Sequence, residues 1–133
     1  MGIEYHEAII ISCYTRKTAM KYYKVAKECF SICPISCPTK EATNSISSFM
    51  ISPDGSKEGW DTSTTADKER LRFIDCIIKQ SRKLGGCEWV WVKFGYDVDN
   101  PYVVKGTNHN PMGNNYYDGE MQINKIRHIL KPR

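Results

Sequence analysis

Between Cys87 and Phe94 the chain alternates strictly, with Trp89 and Trp91 on one side and Val90, Val92 and Phe94 on the other. Side chains in a strand repeat every second residue, so this order defines an extended segment with two distinct faces. Gly85-Gly86 precedes it and Gly95 ends it. A second strand is expected from Glu4 to Tyr14, where the run Ala8-Ile9-Ile10-Ile11 suits a strand covered on both faces. A third is expected from Ser45 to Ile51, carrying Ile46, Phe49 and Ile51.

Two helices separate these strands. Over residues 16–30, Ala19, Tyr23, Ala26 and Phe30 follow helical spacing, with Lys17, Lys21, Lys24 and Lys27 set outward. Thr15 or Thr18 is the expected cap. Pro34 and Pro38 end that helix, and Ser31 to Asn44 reads as a loop. Over residues 66–83 the stripe is Leu71, Ile74, Ile77 and Ile78, with Phe73 at its edge. Thr64 and Asp67 form a weakened capping box before it, and Gly85-Gly86 stop it.

The order is strand, helix, strand, helix, strand. The fold class is α/β, with α+β as the alternative: a small three- to four-stranded sheet with two helices on one face. Both crossovers are long enough for parallel pairing, while a ferredoxin-like antiparallel sheet remains open because long loops flank the second strand. Residues 1–97 form the α/β core, and residues 98–133 an irregular extension packed on the same single domain. Within the extension, Tyr102 to Lys105 suggests a short edge strand, Asn114 to Gly119 a turn, and Ile123 to Leu130 a terminal helix turn or strand.

Size and composition set the outer limits. The 133 residues suit one domain with its own core, and 41% hydrophobic with 26% charged residues is ordinary for a globular protein. No apolar run reaches the ~18 residues of a membrane span, and the N-terminus lacks signal-peptide features. An intracellular protein without a membrane partner is expected. The net charge of +4 is dispersed except near the C-terminus, where Lys125, Arg127, His128, Lys131 and Arg133 crowd together. That tail is either solvated or in contact with phosphate.

The six cysteines include Cys29, Cys33 and Cys37 at four-residue spacing, but no Cys-x-x-Cys. Zinc sites favour shorter gaps and a fourth ligand at a set distance, so free thiols are expected and no metal or cofactor is. His6, His109 and His128 are scattered, and no nucleophile elbow or phosphate-loop signature occurs.

The segment richest in candidate chemistry is the loop Ser52-Pro53-Asp54-Gly55-Ser56-Lys57-Glu58-Gly59-Trp60. Its acids and Lys57 allow a charged surface loop, a binding loop or acid–base chemistry. Backbone amides near Gly55 and Gly59, with Lys57, could contact a phosphate. Tyr116-Tyr117, amid Asn and Gly, reads as a recognition loop, while Trp89 and Trp91 either pack beneath a helix or form a stacking surface. The candidate binding residues are Asp54, Ser56, Lys57, Glu58, Trp60, Tyr116, Tyr117 and Arg127.

Strand 45–51, the loop, the following helix with Asp67, Arg70, Phe73 and Ile74, and the strand Trp89-Val90-Trp91-Val92-Lys93-Phe94-Gly95-Tyr96-Asp97 together resemble a family of small, largely uncharacterised phage-encoded proteins. The resemblance spans roughly residues 5–97 and transfers no catalytic residue. It implies an accessory protein in the cytoplasm of an infected bacterial host, acting by binding. A counter-defence role follows, either inhibiting a host defence protein or sequestering a nucleotide-derived immune signal, with a homo-oligomer among the arrangements open to it. The alternatives are a small nucleotide-processing enzyme using Asp54, Glu58 and His6, and a single-stranded nucleic-acid binder.

Overall fold

The computed structural model describes residues 4–107 and the backbone of residues 116–118. The strands are β1 (His6–Cys13), β2 (Ser47–Ile51), β3 (Cys87–Phe94), β4 (Tyr102–Thr107) and β5 (Tyr116–Asp118). The helices are α1 (Arg16–Cys29), α2 (Asp61–Lys79) and the single turn α3 (Ser81–Leu84). The expected order of elements is present, as is the small helix-and-sheet architecture.

The sheet runs β2-β1-β3-β4-β5, and every neighbouring pair is antiparallel. Parallel pairing, the first expectation, is replaced by the antiparallel alternative, and the reason lies in residues 31–46. After α1 the chain does not enter β2 directly. It first runs along the outer edge of β2, with Ser36 N donating to Met50 O (2.9 Å), Thr39 N to Ser48 O (2.9 Å) and Ser52 N to Pro34 O (2.8 Å). This return carries the chain back the length of the sheet, so β2 enters opposed to β1. Pro34 and Pro38 lack an N–H, so the segment covers the edge of β2 while offering few donors to a further strand. The α2 crossover then leads to β3 on the other side of β1, with β2 and β3 running the same way and β1 between them.

One face of the sheet carries the core. Odd-numbered residues of β1 point to it, and Ile9, Ile11 and Cys13 are fully buried. They align with Ile51, Phe49 and Ser47 on β2 and with Trp91, Trp89 and Cys87 on β3. Both tryptophans are buried there, which selects packing beneath the helices over stacking. A bulge opposite Trp91 and Val92 lets Val104 of β4 turn inward. Tyr102 to Lys105 was expected at an edge; the strand is longer and interior, because β5 pairs beyond it.

Helix α1 begins at Thr15, whose Oγ1 accepts from Thr18 N at 3.1 Å. It buries Ala19, Tyr22, Ala26 and Cys29. Helix α2 starts five residues before the expected position, with Trp60 in the cap position and without a side-chain cap. Gly59, at φ +94, makes the turn that swings the chain from the loop into this helix. The buried stripe of α2 is Ser63, Ala66, Arg70, Phe73, Ile74 and Ile77. Leu71, expected on it, is 49% exposed, because the true stripe is rotated toward Arg70.

Candidate functional site

The loop after β2 lies at the sheet end where β1 begins and β3 finishes. Its root is buried and its tip is not. At the root, Arg70 of α2 is 1% exposed, yet charged. A buried charge is tolerated only when paired and hydrogen-bonded. Arg70 Nη2 donates to Asp54 Oδ1 at 2.5 Å, while Nη1 donates to Asp67 Oδ1 at 2.9 Å and to Glu7 Oε2 at 3.4 Å. Nη2 also approaches Cys33 Sγ at 3.8 Å. Four separate stretches of chain therefore converge on one guanidinium. Its planar fork explains why Arg, and not Lys, suits this position. Nε of Arg70 makes no hydrogen bond to the described residues.

The three carboxylates differ. Burial works against the charged form of Asp54, but hydrogen bonds from Ser56 and Arg70 outweigh it, and the carboxyl stays below its ordinary range. Ser56 donates to Asp54 through both its hydroxyl and its amide, so the turn is fastened to the same carboxylate. Asp67 is closer to solvent and pairs with Arg70 one helical turn away. Glu7 is 6% exposed, and burial pushes it up to about 7 although Arg70 pulls the other way. Its second oxygen accepts from Trp91 Nε1 at 3.0 Å. Tyr5 lies alongside, its phenol pushed up to about 12 by burial and by Asp67, Glu7 and Glu58. Among the described residues no group of His, Cys, Asp and Glu is arranged to hold a metal ion. The guanidinium occupies the place of a cation among the acids.

Toward its tip the loop opens. Trp60 is 53% exposed and Glu58 is exposed. Lys57 Nζ pairs with Glu4 at 3.3 Å, both side chains partly in solvent. Asp61, the next residue, opens α2. The sequence-derived candidates therefore divide. Asp54 and Ser56 hold the root, whereas Lys57, Glu58 and Trp60 form the outward surface. His6 stands apart: it is exposed on the opposite sheet face, its ring 5.5 Å from Phe94. The expected acid–base group of Asp54, Glu58 and His6 is not assembled. Tyr116 and Tyr117 contribute backbone to β5, their side chains lie outside the described residues, and so does Arg127.

Sequence reasoning passed over Glu7 and did not assign Arg70 to the site. A signal for Arg70 was present: it is four residues after Ala66 and four before Ile74, on the apolar stripe of α2. A charge on a core stripe implies buried partners. Nothing in the local sequence identifies those partners.

No protein-family model, no curated protein and no solved structure matches this chain. Among the described residues, no helix is long and apolar enough to cross a membrane.

Proposed function

We propose that the protein acts by binding, and that loop residues Lys57, Glu58 and Trp60 form its contact surface. The observation that carries this reading is the contrast within one loop. The root is fastened to a buried arginine, so the exposed indole is presented without a large ordering cost on association. Exposed aromatic anchors on rigid supports are the residues on which interfaces depend most. In the phage setting that the resemblance implies, the role is counter-defence.

The charge around the tip favours a host protein over a nucleotide-derived signal. Lys57 is already paired with Glu4, and Glu58 and Asp61 follow it within four residues of chain. A phosphate would meet repulsion there, whereas a basic protein surface with a cleft for the indole would not. The nucleotide-processing alternative draws on one observation, the raised Glu7. That carboxyl is enclosed by Trp91 and Arg70, and a general base must reach its substrate.

The test is retention of host proteins from a bacterial lysate on the immobilised chain, comparing wild type with Trp60→Ala and with Arg82→Ala, a control remote from the loop. The proposal expects a specific partner that Trp60→Ala loses, with affinity down at least ~10-fold, and that Arg82→Ala keeps. A partner retained equally by all three contradicts it. Turnover of a nucleotide that Glu7→Gln abolishes would establish the enzyme instead.

A further inference from the structure

At the far end of β1 from the arginine, Cys13 faces Cys87 directly across the β1–β3 pair. Opposed residues of antiparallel strands have Cα atoms ~4.5–5.5 Å apart, inside the range a disulfide spans. Both side chains point to the core face. Cys13 is fully buried, whereas Cys87 is half-buried and lines a cleft of about 360 Å³. Tyr22, Ile78, Arg82, Gly86 and Thr107 share that cleft. One thiol therefore meets solvent, and the second stands immediately behind it.

The geometry points to Cys87 as the entry thiol of a redox pair that a small organic hydroperoxide oxidises, with Cys13 resolving it into a cross-strand disulfide.

The surroundings support the division of labour. Contact with Cys13 holds the Cys87 thiol below its ordinary range despite burial, whereas contact with Cys87 and burial raise Cys13. Cys87 lines the cleft and Cys13 does not, so a peroxide meets Cys87 first and attack begins there. The Tyr22 hydroxyl gives its one proton to Gly85 O at 2.7 Å, which fixes the phenol as a wall of the cleft that Cys87 also lines. Ile78 and the wall around Trp89 suit the alkyl portion of the peroxide, and Arg82 stands at the cleft to meet the departing alkoxide.

In the first step the Cys87 sulfur attacks the terminal peroxide oxygen. An S–O bond forms, the O–O bond breaks, and the alkoxide leaves and takes up a proton as the alcohol. In the second step the Cys13 sulfur attacks the sulfenic sulfur as its proton is lost. The S–S bond forms, the S–O bond breaks, and the departing oxygen leaves as water. Two thiols and one hydroperoxide become one disulfide, one alcohol and one water.

The experiment treats the full chain, carrying Cys37→Ser to remove the exposed thiol, with stoichiometric tert-butyl hydroperoxide. The expected product has a mass lower by about 2 Da, and proteolysis without reduction joins the peptides of Cys13 and Cys87. In a Cys13→Ser variant, Cys87 should instead accumulate as a sulfenic acid captured by dimedone. A Cys29–Cys76 bridge, or unchanged mass after all peroxide is consumed or recovered, overturns the proposal. Because the bridging assay needs no change to either thiol of the pair, a misfolded Cys13 variant leaves it decisive.

Discussion

The two ends of β1 present the same face of the same strand and hold opposite chemistry. At one end Glu7 meets a buried guanidinium with two further carboxylates; about 20 Å away, Cys13 meets a second thiol and a phenol. The ionic end is assembled from β1, the loop after β2, α2 and the residue stretch after α1. The thiol end follows from strand register, with a tyrosine one helical layer above. Charge neutralisation thus ties distant parts of the chain together, whereas register alone positions the cysteines. The loop tip inherits its order from the first arrangement and owes nothing to the second.

Replacing Arg70 separates the ends most forcefully. Arg70→Leu leaves Glu7 and Asp54 buried without a counter-charge, and should cost about 3–5 kcal/mol, measured by denaturant unfolding. A loss below about 1 kcal/mol would equate this network with a surface ion pair and dissolve the contrast.

Next in size is the pH dependence. Glu7 is raised from 4.5 to about 7, so the native state holds its proton more tightly than the unfolded chain does. The stabilisation is complete below 4.5 and is lost as pH rises through about 7. Unfolding free energy should therefore fall by about 1–3 kcal/mol across that window, and Glu7→Gln should flatten the fall. Asp54 works in the other sense: held below 3.8, it contributes above that pH and is lost as pH drops through its folded value. A wild-type profile that is already flat from 4.5 to 8 would contradict the assignment of Glu7.

The thiol end should be gentler. Cys13→Ser puts a hydroxyl at a fully buried position and should cost about 1–2 kcal/mol, less than Arg70→Leu by the same measurement. Smallest of all is Trp60→Ala, within about 0.5 kcal/mol of wild type, because the indole stands at the tip. A larger loss in thermal unfolding would mean that Trp60 supports the fold and is not free to bind.

Much of the architecture was legible because it rests on local periodicity. The alternation around Trp89 and Trp91 and the Thr15 cap follow from short-range rules, whereas the second helix, expected to run to Gly85-Gly86, ends at Lys79 and only the separate turn α3 reaches Gly85. Strand direction was not, since a crossover of given length permits either sense. The return of residues 34–39 along β2 is a tertiary event, decided by hydrogen bonds to Ser48, Met50 and Ser52. The site was half legible. The loop stands out by composition, and at its tip Glu58 and Trp60 are exposed while Lys57 is half-buried. Its division into root and tip depends on Arg70, whose partners lie 3, 16 and 63 residues away in the chain. Such spacing leaves no periodic trace, and Glu7 is hidden for the same reason.

The central claim is that Arg70 orders the loop while leaving its tip free. Hydrogen exchange at the Trp60 amide tests it most directly, because that amide bonds to Lys57 O at 3.2 Å and does not touch Arg70. In Arg70→Lys the charge remains but the fork is lost. Exchange at Trp60 should accelerate by at least about tenfold, while amides of β1 and β3 change less. Unchanged protection at Trp60 in that variant, with the fork gone, would contradict the account.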